Sequence, residues 1–311
     1  MALTLAQSAT LSQNMLHRGI MEELVKESPI LRLLPFIEVE GNALAINRED
    51  TDAMGSAGFY GANAVWNEDA ATFDQVTASL TTLGGEADVP NLAQKSRSNF
   101  NDQMAAQVKI KTKLMGHAFE DCFIYGDDSD SHEFDGLHTL MATVPSARKL
   151  SMGTNATGAA LTLAKLDELV DVILGGQPDI ILMNKNIRRR LTQKLRTVGS
   201  YTTERDDYGN FWVMWNEIPI VVTDFLLQTE AISSGVYDAK TGGLTSSVFA
   251  IRFGDGDGLC GIQSGGIQTE TWERLEEKDA SRTRIKWYCG LALYATTSIA
   301  RIDGVTDAAI S

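Results

Sequence analysis

The sequence predicts an α+β fold in which an N-terminal arm, a protruding β-hairpin and a long helix are attached to a mixed α/β body. Three observations carry that prediction. Residues from Asn91 to about Tyr125 hold an apolar stripe too long for an average helix. Residues 47–85 form a glycine- and alanine-rich stretch that ends in a threonine-rich alternating run. From Thr162 onward, helical and strand periodicities alternate.

Residues 1–35 read as the arm. Leu16, Ile20, Leu24 and Val25 fall at helical spacing, and Ser28-Pro29 stops the run because proline disfavours helix at the residue before it. The apolar segment Ile30 to Ile37 leads into Glu38-Val39-Glu40-Gly41-Asn42, a strand and turn. Residues 47–85 then mix Gly55, Gly58 and Gly61 with the lone aromatics Phe59, Tyr60, Trp66 and Phe73, and Thr72 to Leu83 reads as a single strand. Together they predict a long two-stranded excursion with an irregular tip. An isolated hairpin is marginal in water, so this one must lie on something. Its aromatics point to function.

The long helix shows Phe100, Met104, Val108, Met115, Phe119 and Phe123 on one stripe, widened by Leu114, Ala118 and Cys122. Gly116 is a tolerable interruption. Over 91–125 it would span roughly 50 Å at about 1.5 Å per residue, which requires an extended body to lie along. A polar stretch, Gly126 to Ser131, and the turn Phe134-Asp135-Gly136-Leu137 follow. Leu163, Leu166, Leu169, Val170, Ile173 and Leu174 form a helix face ended by Gly175-Gly176. Asp179 to Met183 reads as a short buried strand, and Asn184 caps a helix from Lys185 to Arg196. Phe211 to Trp215 and Ile218 to Thr223 are strands around the turn Asn216-Glu217, and Ser246 to Phe253 is another. Gly254 to Gly266 reads as a loop. Arg282 to Tyr294 and Thr296 to Ile302 read as the closing strands.

Composition excludes some functions. The formal net charge is -14, which argues against gripping nucleic acid or an anionic membrane, because either partner needs a basic surface. Enclosing DNA without gripping it remains compatible. Cys122, Cys260 and Cys289 stand far apart with no CxxC pair, as expected of a protein made in a reducing compartment. The first residues lack a basic region followed by an apolar run, and no window holds some 18 uninterrupted apolar residues, so neither a signal peptide nor a membrane span is expected.

No constellation for catalysis stands out. The histidines, His17, His117, His132 and His138, are scattered. Asp127 to Glu133 superficially matches a calcium loop but lacks glycine at its sixth position and glutamate at its twelfth. It reads better as a solvated acidic turn. The Gly254–Gly266 segment has no GK[ST] sequence, no GxSxG occurs, and Cys260 has no histidine near it in sequence. No catalytic, metal or cofactor site is expected. Arg188-Arg189-Arg190, with Lys185, Lys194 and Arg196, marks one basic helix. It is either a solvated face or a contact for an acidic surface on a neighbouring subunit.

The order of these elements resembles that of tailed-bacteriophage major capsid proteins, whose fold encapsulin shells share. The similarity runs from about Leu16 to Gly304, and its better motifs are Phe134-Asp135-Gly136-Leu137, Pro178 to Asn184, and Trp215 to Asp224. In the last of these, Glu217 stands where the family has glycine. The resemblance implies an N-arm over 1–35, an extended loop over 44–88, and a peripheral domain over 36–43 and 89–144 whose spine helix is 91–125. It further implies an axial domain over 145–245 with its tip near Arg205 to Asn210, and strands over 246–311 returning to the peripheral domain. The implied function is a non-enzymatic capsid subunit of the virion, assembled in the host bacterial cytoplasm. It would form pentamers and hexamers of an icosahedral shell around double-stranded DNA, with a portal and with scaffolding or decoration proteins as further partners. An encapsulin-like nanocompartment is the alternative. A soluble α/β enzyme is the alternative from another class.

Two expectations come from the residues themselves. No lysine lies between Lys26 and Lys95, so the loop lacks the group that some relatives use for isopeptide cross-links, and a non-covalent shell is expected. The loop is acidic, with Glu68 and Asp69 among its carboxylates, whereas the first part of the spine helix carries Lys95, Arg97, Lys109, Lys111 and Lys113. Opposite charge would guide the loop onto a neighbour's helix, with Phe59, Tyr60, Trp66 and Phe73 as apolar anchors. Arg188, Arg189, Arg205 and Tyr208 are the expected axial-domain contacts.

Overall fold

The computed structural model describes residues 30–49, 59–62, 64–66, 73–97, 103–153, 157–199, 202–205, 211–272 and 275–310. The expected arm helix around Leu16 to Val25 lies outside them. The chain enters at helix α1 (Ile30–Leu33) and strand β1 (Phe36–Glu38), then runs along β2 (Ala43–Glu49) and β3 (Phe73–Ser79). Strand β4 (Thr81–Pro90) leads into helices α2 (Asn91–Arg97) and α3 (Gln103–Tyr125). The spine helix expected over 91–125 is therefore described in two pieces, with 98–102 outside the described residues. Helices α4 (Asp128–Ser131) and α5 (Leu137–Leu140) precede strands β5 (Lys149–Ser151) and β6 (Ala159–Ala160). Next come α6 (Leu163–Asp171), β7 (Ile180–Met183), α7 (Lys185–Val198), β8 (Thr202–Arg205), β9 (Phe211–Trp215) and β10 (Ile218–Val222). The chain closes with β11 (Ala231–Ser233), β12 (Val236–Ala239), β13 (Ser246–Ile251), β14 (Leu259–Trp272), β15 (Ala280–Leu293) and β16 (Ile299–Thr306).

An eight-stranded sheet in the order β5-β16-β13-β7-β10-β9-β8, with β6 beside β16, divides two cores. Ile181, Met183, Val248 and Ala250 face α6 and α7 on one side. Ile180, Leu182, Phe249 and Ile251 face the core of α3 and α5 on the other. A strand buried on both faces needs no polar alternation, which is why Ile180–Met183 is an unbroken apolar run. The flanking helices start where expected. The Thr162 side chain accepts from the Lys165 amide at 3.2 Å, and that of Asn184 from the Ile187 amide at 2.9 Å. Gly199, at φ 81°, ends α7 in the left-handed conformation.

A four-stranded sheet, β1-β14-β15-β4, carries the long helix on one face. There Phe119 meets Trp287 at a ring separation of 5.2 Å and Phe36 at 6.1 Å. Met115, Phe119 and Phe123 are buried as expected, but Leu114 and Ala118 are exposed. Glu120 and Ile124 occupy the second inward flank instead, because the C-terminal half of α3 is enclosed on that side too.

Other expectations are corrected. The strand read over Thr72–Leu83 breaks at Leu80: β3 pairs with β2, whereas β4 pairs with β15. β4 runs on through Gly84, where a Cβ would lie 2.6 Å from the Ile285 carbonyl oxygen. The Gly254–Gly266 loop is shorter than expected, since β14 begins at Leu259. Gly265 and Gly266, both at positive φ, form a bulge that shifts register between Ser264 and Ile267. Thr296–Ser298 is a short 3-10 turn before β16. The strands of 246–311 also do not stay together. β14 and β15 join the sheet under the long helix, whereas β13 and β16, buried on both faces, join the eight-stranded sheet.

Candidate inter-subunit surface

The excursion is anchored at its base. β2 and β3 pair from Ala43 opposite Ser79 to Glu49 opposite Phe73. A third core, built from Val39, Ile46, Cys260, Ile262 and Ala292, ties that base to β14 and β15. Arg48 is buried and donates to the Leu293 carbonyl. The outer half differs: Phe59 is fully exposed, Trp66 is 74% exposed and Phe73 69%. Tyr60 stacks on Trp66 with ring centroids 4.5 Å apart. The structure thus brings Tyr60 and Trp66 together and leaves large apolar area facing outward. Glu68 and Asp69 lie outside the described residues.

The expected cationic row does not form one face. Lys95 and Lys109 are exposed. Lys111 turns toward the sheet, where its Cδ would lie 3.6 Å from a Cβ at Gly85, and Lys113 is half-buried. Helical spacing turns Lys111 away from Lys109, because residues two apart point about 200° apart, whereas Lys113, four residues on, shares the side of Lys109. The Arg97 and Arg205 side chains and all of Tyr208 lie outside the described residues. On α7, Arg189 and Arg190 both reach Asp307, at 2.9 and 2.7 Å.

Two polar constellations escaped the sequence reading. The first is a cross-strand charge ladder on the sheet face away from α3. Arg282 grips Asp88 at 2.6 and 2.8 Å, Arg284 pairs with Glu86, and Lys286 reaches Glu270 at 2.5 Å. Alternating charged residues in β15 and β4 were its only trace. The second lies buried between α3, α5, β12, β13 and β16. Glu230 accepts from Tyr125 at 2.5 Å and Ser247 at 2.7 Å, and Arg301 holds Asp303 at 2.6 and 2.8 Å. His138 stacks on Tyr237 at 3.7 Å. Burial pushes the Tyr125 and Tyr237 hydroxyls upward, so both stay protonated donors. Only Arg301 and Asp303, interrupting an otherwise apolar strand, hint at this cluster in sequence.

The three cysteines are free, and burial pushes each thiol up to about 12. Such thiols are poor nucleophiles. Among the described residues no helix is long and apolar enough to cross a membrane.

A search of the solved structures finds the same fold repeatedly. The chain superimposes on the holo-SrpI encapsulin complex of Synechococcus elongatus with a TM-score of 0.71 at 16% identity, covering 100% of this chain and 99% of that one. The structure titled Microbacterium phage Oxtober96 gives 0.62 at 12% identity, covering 98% and 99%. The capsid of a native GTA particle gives 0.60 at 14% identity, covering 93% of each chain. No curated protein sequence matches. The model of the Phage capsid family matches residues 8–207, well over half of the chain. This chain belongs to the phage capsid family and is a major capsid protein.

Proposed function

We propose that this chain builds a non-covalent icosahedral shell of pentamers and hexamers around packaged double-stranded DNA. The observation that carries the reading is the excursion, fixed to its own subunit at the base and exposing Phe59, Trp66 and Phe73 beyond it. A monomer gains nothing from such exposure, whereas aromatics of this kind dominate interfaces. Residues 44–88 overlap a neighbouring subunit. Residues 36–43 and 89–144, with β14 and β15, form the peripheral domain. Residues 145–245 form the axial domain, whose tip near 205–210 faces the symmetry axes. The net charge of -14 suits a container whose wall does not grip the genome. Portal, scaffolding or decoration proteins complete the particle in the bacterial cytoplasm. Family and fold are those of a structural protein, which supports a non-enzymatic role.

A cargo-holding nanocompartment is the second reading, favoured by the TM-score of 0.71 to an encapsulin over the full length of both chains. The test is to express the protein alone and examine the sized fractions by negative-stain microscopy. Closed shells, aberrant shells or isolated rings are expected. A monodisperse monomer at high concentration, with or without a co-expressed scaffold, would overturn the proposal. Shells that retain nuclease-protected DNA favour the capsid; shells that co-purify with an enzyme favour the nanocompartment.

A further inference from the structure

Helix α7 is basic within an acidic chain. It carries Lys185, Arg188, Arg189, Arg190, Lys194 and Arg196 and no acidic residue. Its own subunit already supplies carboxylates to three of these: Asp224 reaches Lys185 at 2.7 Å, and Asp307 reaches Arg189 and Arg190. Along its outer side runs an open groove of about 550 Å³, lined among the described residues by Arg188, Arg189, Thr192, Gln193, Arg196 and Thr197. Two polar atoms of these residues lie beneath the groove, shielded from solvent and with no hydrogen-bond partner among the described residues: the hydroxyl of Thr192, a residue only 9% exposed, and Nε of Arg188. Burying such groups unpaired is costly, because they forgo the hydrogen bonds that water would give them. They lie one helical turn apart on the same face. The groove is therefore cationic, with unmet hydrogen-bonding capacity beneath it.

We propose that this groove receives a carboxylate of an adjoining copy of the chain, with the Arg188 guanidinium as its forked anchor and the Thr192 hydroxyl beneath it. This rests on the shell-subunit reading and names one contact within it. A ring of identical subunits must join two different surfaces of the same chain. An excess of acidic over basic residues, 41 against 27, makes carboxylates the abundant partner on the mating surface. A carboxylate matches the guanidinium fork with two parallel hydrogen bonds. Phosphates of the genome fit less well, since backbone binding needs an extended run of unneutralised cations. Here Asp224 and Asp307 have already neutralised three of the six.

The experiment uses assembled particles made from mixed isotopically heavy and light subunits, treated with a carbodiimide that couples lysine directly to a carboxylate. In Arg188→Lys particles, the amine introduced at position 188 stands in the groove and is expected to yield heavy–light cross-linked peptides, identified by mass spectrometry. In parallel, Arg188→Glu is expected to lower the yield of closed particles at least tenfold, with circular dichroism and melting temperature unchanged. Arg188→Lys, which keeps the charge and loses the fork, should fall between. Particles of Arg188→Glu at wild-type yield, or position-188 cross-links of Arg188→Lys confined to single subunits, would overturn the proposal. So would unchanged assembly accompanied by loss of protected DNA, which would make the groove a phosphate site. If wild-type protein forms no particles at all, the shell reading itself falls. If wild type and Arg188→Glu assemble equally, only the groove contact falls.

Discussion

His138 shows how one side chain can be set by its surroundings. Its Nδ1 lies 3.0 Å from Arg301 Nη1. Arginine can only donate, so Nδ1 must accept and the ring proton sits on Nε2, 3.4 Å from the Glu230 carboxylate. Burial lowers the imidazole pKa and, with Arg301, outweighs the opposing pull of Glu230 and Asp303. Protonation would turn a second N–H against Arg301. An unfolded histidine titrates near about 6.5, so on acidification the unfolded chain binds the proton first. This contribution is therefore intact above that pH and erodes below it, by at most about 1.4 kcal/mol per pH unit. Urea denaturation of the isolated subunit should show wild type losing stability between about pH 7 and about pH 5, with a flatter profile for His138→Gln. Identical slopes would remove His138 from the account. Asp88 and Asp307 act in the same direction but lower. Hydrogen bonds from Arg282 and Arg190 lower their pKa values, so their contribution is present above about 4 and lost below it.

At the scale of elements, the end of the long helix explains the Phe134-Asp135-Gly136-Leu137 turn. The chain doubles back so closely that a Cβ at Gly136 would lie 2.4 Å from the Cys122 carbonyl oxygen, and one at Gly126 would lie 2.2 Å from that of Phe134. Phe134 and Leu137 on either side are buried in the helix core. Gly136→Ala should cost on the order of 1–3 kcal/mol as overpacking against backbone, measured by thermal unfolding. An unchanged melting temperature would show that the approach is looser than described. The charge ladder contributes less. Asp88 and Arg282 stand directly opposite in the β4–β15 register, and a part-buried cross-strand pair of this kind contributes about 0–1 kcal/mol. A double-mutant cycle on Asp88→Ala and Arg282→Ala should return a coupling within that range; a coupling above about 2 kcal/mol would assign the ladder a larger structural role.

For the whole molecule, assembly should depend on residues that folding ignores. Trp66→Ala and Phe59→Ser should leave the subunit's melting temperature within about 1 °C, because surface changes seldom exceed about 0.5 kcal/mol, while abolishing or coarsening shells seen by microscopy. Equal shell yields would show that the exposed tip is not the overlap. With no lysine between Lys26 and Lys95, particles boiled in denaturing detergent should run as a single monomer band, and a ladder of multimers would refute the non-covalent shell. The test of charge steering belongs at Lys109, which is exposed. Lys111 lies across the sheet, so its reversal would confound folding with assembly.

Periodicity and punctuation alone determined much of this protein: the Met115-Phe119-Phe123 stripe, the buried Ile180–Met183 strand, the cap at Asn184, and the paired strands at the base of the excursion. These are local signals, because a helix or strand writes its own repeat into consecutive residues. Tertiary structure alone decided that the chain from Thr72 to Leu83 breaks at Leu80 to serve two sheets, and that the last strands divide between them. It also decided that Tyr125, His138, Glu230, Ser247, Arg301 and Asp303 meet in one buried cluster. Pairing partners and buried polar contacts are made between residues far apart in the chain. Their hydrogen bonds depend on distances that no local repeat encodes.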